Sequence, residues 1–136
     1  MAGHGRDYTI WGLVLPIYLP TFIFAVSEGI AIPVVSLMVY HVFGSTEAMV
    51  GGCVAIVGLG KISSNLPSGR FIARHGNRRA MLVAQLSLLG ATTAAAVAPS
   101  VFLLLISQAV RGAGFSLWTV ARQALIAANV RTELRR

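Results

Sequence analysis

Acidic residues and cysteine are nearly absent from this chain of 136 residues: only Asp7, Glu28, Glu47 and Glu133 oppose eleven lysines and arginines, and Cys53 is the sole thiol. A single cysteine excludes an intrachain disulfide, and its place inside an apolar run makes it a small buried hydrophobe. His4, His41 and His75 are scattered over three segments, so no metal site is expected. Charged residues make up 11% against 56% hydrophobic, which excludes an ordinary soluble domain. No paired carboxylates and no serine with a base stand in the apolar runs, so an enzyme is not expected. The net charge of +7 would suit a nucleic-acid binder, but the basic residues sit in short clusters at the ends of apolar runs, without interleaved aromatics. Membrane lipids, not nucleic acid, are the partner this pattern implies. The stretch around Gly58, Gly60 and Lys61 has the look of a phosphate-binding loop, yet Ala55 and Ile62 stand where that motif needs glycine and serine or threonine. No cofactor is expected.

What is present is a series of four apolar runs. After a polar start over residues 1–9, transmembrane helices are expected at about 12–40, 49–72, 80–98 and 101–126. About 20 apolar residues span a hydrocarbon core of ~30 Å. A cleavable signal peptide is the rival reading of the first run, with small residues at Ala25 and Ser27, but the apolar run continues well past them. Pro16, Pro20 and Pro33 predict bends in the first helix. Small residues recur through the second, at Gly51, Gly52, Ala55, Gly58, Gly60, Ser64 and Ser68, and predict close helix packing. The third run carries no charge and is best suited to face lipid. Pro99 and Ser100 make a connection short enough to force an antiparallel hairpin. The fold class expected is therefore all-α: a polytopic membrane helical bundle with four transmembrane helices in one unit.

Arg70, Arg74, Arg78 and Arg79 fill the turn between the second and third runs, while the opposite side carries Glu47 and no lysine or arginine. With Arg6 and the final three arginines on the same side as the turn, the positive-inside bias places both ends of the chain in the cytoplasm. Glu28, Lys61 and Arg111 lie deep inside their runs. Each costs ~2.5–3.5 kcal/mol at a helix centre, as much as about six leucine-class residues return. At ~1.5 Å per residue, Glu28 lies ~18 Å from Tyr40, Lys61 ~21 Å from Glu47 and Arg111 ~17 Å from Ser100, so all three are expected at one depth. They are the candidates for binding a small-molecule substrate or exchanging protons, with Glu28 the coupling group. A fixed ion pair that merely holds the helices together is the alternative.

The turn also resembles the signature loop between helices 2 and 3 of the major facilitator superfamily of secondary transporters. The matching residues are Gly69, Arg74, Gly76, Arg78 and Arg79, with Ala73 where that family carries an aspartate and Asn65 where drug-exporting members carry an acid. A second resemblance lies in the fourth run, where Gln108 falls at the family's motif arginine, Arg111 one turn later, and Gly112 and Gly114 at its closing glycines. The resemblance implies that these four helices are a fragment of the amino-terminal six-helix half, which works by alternating access. The missing remainder of the transporter would then be its partner, and proton-coupled efflux of a drug or small metabolite across the plasma membrane its function. A four-helix, dimeric small multidrug exporter and a non-transporting scaffold or truncated product are the alternatives. Sequencing the gene past the codon for Arg136 distinguishes them: a frame continuing through about eight more apolar runs is expected of the transporter.

Overall fold

A computed structural model describes residues 10–133, and all of its regular structure there is helical. The order is α1 (Ile10–His41), α2 (Glu47–His75), α3 (Asn77–Ala96) and α4 (Val101–Glu133). Stretches within α1, α2 and α4 are long and apolar enough to cross a membrane, at Tyr18–His41, Glu47–His75 and Val101–Ala128. The shorter α3 opens on Asn77, Arg78 and Arg79 and carries Gln85, which lowers its apolar average, and the apolar Val97 and Ala98 fall beyond its end. Large side chains such as Ile62, Leu66, Leu86 and Phe102 are 67–76% exposed, an apolar surface of the kind that faces lipid or another helix.

The described chain divides into two compact units, one ending at Met38 and the other beginning at Val39. The first is most of α1, which runs unbroken through Pro16, Pro20 and Pro33. Helices in membranes tolerate proline because neighbours, waters or hydroxyls satisfy the freed carbonyls. Along α1, Thr21, Phe24, Glu28, Ala31 and Val35 are half-buried and recur at helical spacing.

In the second unit α4 is the central element, packed against both α2 and α3, which touch each other little. Its composition explains the position. Alanine, glycine and serine on two flanks of α4 let both neighbours approach, as expected where packing and not the hydrophobic effect drives association. From α3 the contact is a stripe of Ala80, Ala84, Leu88, Ala91 and Ala95, all buried. The outer face of α3 presents Leu82, Leu86 and Leu89, while Thr92 and Thr93 each donate a hydroxyl to the carbonyl four residues back, at 2.8 Å. Two glycines make the turns. Gly44 has φ +57°, and Gly76, between α2 and α3, has φ +82° and ψ +159°, a conformation essentially restricted to glycine.

Candidate functional site

The site is built on α4, from the backbone outward. A methyl group placed on Gly60 would lie 2.5 Å from the Ala109 carbonyl oxygen, and one on Gly112 would collide with the Val57 carbonyl oxygen and sit 3.2 Å from the Lys61 nitrogen. The two glycines therefore interlock reciprocally, each Cα meeting the carbonyl of the facing helix, the geometry in which weak Cα–H···O bonds form. Gly114 serves the other neighbour: a methyl there would meet Leu88 at 3.2 Å and Ser87 at 3.3 Å in α3. The helix 4 motif glycines thus have separate packing duties, Gly112 toward α2 and Gly114 toward α3.

This close approach sets the level of the polar side chains. Lys61 faces Gly112, so Lys61 and Arg111 occupy adjacent levels of the α2–α4 pair. Lys61 Nζ lies 3.7 Å from the centroid of the Phe115 ring, a cation–π contact whose worth rises away from water. One turn further, Ser116 Oγ donates to Asn65 Oδ1 at 2.5 Å. The pairings Val57 with Gly112 and Asn65 with Ser116 advance together, which makes α2 and α4 parallel.

Gln108, Arg111, Phe115, Trp118 and Arg122 recur on α4 at the spacing of a single helical face. Gln108 is 1% exposed and Arg111 6%, and Trp118 is buried with Arg122 5.1 Å above its ring. The amide nitrogen of Gln108 is buried and has no hydrogen-bond partner among the described residues. Buried polar groups are normally satisfied, so an amide left open here is a place where a ligand's acceptor would be stabilised. The stripe is a set of donors and cations inside an apolar bundle, chemically suited to an anionic or hydrogen-bond-accepting group.

The remaining sequence candidates lie on α1, α2, α3 and the Gly76 turn. Glu28 is half-buried on α1, in the other unit. Arg74 lies in the last turn of α2, and Arg78 and Arg79 in the first turn of α3, all exposed. Gly76 is the turn itself, whereas Gly69 is within α2 with none of the described residues within 4 Å of a methyl placed on it. Sequence reasoning missed Phe115, the Ser116–Asn65 pair and the Trp118–Arg122 pair. The spacing from Gln108 to Arg122 was available as a signal, but Phe115 and Trp118 read as ordinary apolar residues until Lys61 and Arg122 are placed on their rings.

Searches of curated proteins and of solved structures found no match. A family model does match, described as Major Facilitator Superfamily, over residues 17–136. The match takes in α1 from Ile17 onward, all of α2 and α3, α4, the Gly76 turn and the interlocked glycines, and the chain is a multi-pass membrane protein belonging to the major facilitator superfamily of transporters.

Proposed function

We propose that the chain is the amino-terminal part of a secondary active transporter that exports a drug or small metabolite in exchange for protons. It crosses the plasma membrane four times with both ends cytoplasmic, and the rest of the transporter supplies the opposite wall of an alternating-access cavity. The observation that carries this reading is the polar stripe of α4, with Gln108 and Arg111 almost fully buried beside Lys61 in helices otherwise apolar. Ionisable residues at that depth cost several kcal/mol, and in membrane proteins they mark substrate and proton paths. Lys61 and Arg111 draw an anionic or acceptor group of the substrate to the stripe, and the Gln108 amide hydrogen-bonds it. Glu28 is the coupling group, the one carboxylate in the apolar part of α1, where an ionisable residue marks a proton or substrate path.

The test is proton-driven transport by the complete protein in proteoliposomes, native against Glu28→Gln. The variant is expected to exchange substrate down its gradient but not to accumulate it against one. Equal proton-driven accumulation by both forms would remove Glu28 from coupling.

A further inference from the structure

Because α2 and α3 flank α4 with little contact between them, a groove remains on the face of α4 opposite the polar stripe. It holds a cavity of about 260 Å³ lined by Ser68 and Phe71 of α2, Val83 and Ser87 of α3, and Val110 and Leu117 of α4, among others. Val83 and Val110 are 40% and 44% exposed, so the cavity opens sideways, where acyl chains lie.

Helical periodicity carries both walls outward to cations. On α2 the lining positions Ser64, Pro67 and Phe71 lead one turn on to Arg74, and on α3 Ser87 and Val83 lead one turn back to Arg79. Arg78 falls on a different face of α3. No aspartate or glutamate occurs between Asn65 and Arg79, so nothing in this stretch neutralises the two arginines. From Ser64 to Arg74 is ten residues, or ~15 Å at ~1.5 Å each, and one leaflet of a ~30 Å core has that depth.

We propose that this groove is a binding site for one anionic phospholipid, with an acyl chain in the cavity and the phosphate held between Arg74 and Arg79. An acyl chain matches the apolar walls and sideways opening, and a negative headgroup matches paired arginines at the mouth. The inference rests on the helices spanning a bilayer and on the rest of the transporter leaving this groove facing lipid, and it stands or falls separately from transport.

The test is native mass spectrometry of the complete protein in mild detergent, offered equimolar phosphatidylglycerol and phosphatidylcholine with the same oleoyl chains. An arginine near a membrane surface is worth about five-fold for an anionic lipid. The native protein is therefore expected to retain phosphatidylglycerol at least five-fold over phosphatidylcholine. Arg74→Gln and Arg79→Gln should each lower that ratio about five-fold, Arg78→Gln less than two-fold, and Ser87→Phe, which fills the cavity, should reduce retention of both lipids. Equal retention of the two lipids by the native protein would overturn the proposal. So would an Arg78→Gln effect as large as that of Arg79→Gln, which would mean a diffuse surface charge with no defined site.

Discussion

Replacing Gly112 by alanine tests the packing on which the site depends. The added methyl would collide with the Val57 carbonyl oxygen and lie 3.1 Å from its carbon and 3.2 Å from the Lys61 nitrogen, whereas ordinary contact begins near 3.4 Å. These are backbone atoms of a helix, so no side chain can swing aside and α2 must move away by about 1 Å. A gap of ~0.5–1 Å forfeits a quarter to a half of each dispersion contact along the seam. Overpacking of this kind costs ~1–3 kcal/mol, against which alanine recovers at most ~1 kcal/mol of helix propensity over glycine. With the middle of that range, ~2 kcal/mol, the net loss is about 1–2 kcal/mol, or ~5–30-fold easier separation of α2 from α4. Cys53 is a built-in reporter, because it is the only cysteine, is 2% exposed, and lies two turns before Gly60 on the same face of α2. Maleimide labelling of Cys53 in micelles should accelerate by that factor in Gly112→Ala. Gly58→Ala, where none of the described residues lies within 4 Å, should label no faster than the native protein. Equal labelling of Gly112→Ala and the native protein would refute the interlocked-glycine geometry.

Other outcomes follow from the same geometry. Asn65→Ala removes the acceptor of the Ser116 hydroxyl, 3% exposed, and should cost ~0.6–1.7 kcal/mol in detergent unfolding, the range for hydrogen bonds between membrane helices. At Gly76, whose φ and ψ suit almost no other residue, alanine and asparagine should both cost ~1–3 kcal/mol by thermal unfolding, and asparagine should give no rescue. At Gly44, with φ +57°, asparagine should be tolerated better than valine in the same assay. Gly114→Leu should detach α3 while sparing the α2 contact, so that protease sensitivity rises near Gly76 and Cys53 stays protected.

The helices were legible because apolar runs of membrane length, separated by Gly44, the Gly76 turn and Pro99, leave little freedom in where the chain can fold back. Which helix lies at the centre was not. Gly51, Gly52, Gly58 and Gly60 are the same residue type in one helix, yet among the described residues only Gly60 of these meets another backbone, and the crossing point depends on the rotation of α2 about its axis. Lys61 and Arg111 stood out as charges in apolar surroundings, and the structure sets them at adjacent levels of α2 and α4. Phe115 and the pairing of Ser116 with Asn65 were hidden, because a cation–π contact or a hydroxyl–amide pair between distant segments leaves no periodic trace in sequence. The cavity over Ser68 and Ser87 arises from the separation of α2 and α3 by α4, a consequence of packing order that neither segment records.

The most direct test of the central claim, that the buried stripe of α4 with Lys61 handles the transported molecule, is transport itself. The complete protein is reconstituted in proteoliposomes and assayed for counterflow of fluorescent dyes and small metabolites, with Lys61→Met and Arg111→Gln compared to the native form. Protection of Cys53 from labelling verifies that packing is retained. At least a ten-fold loss of counterflow with Cys53 still protected is the expected result. Undiminished counterflow in both variants would contradict the assignment and leave these charges as structural elements of the α2–α4 pair.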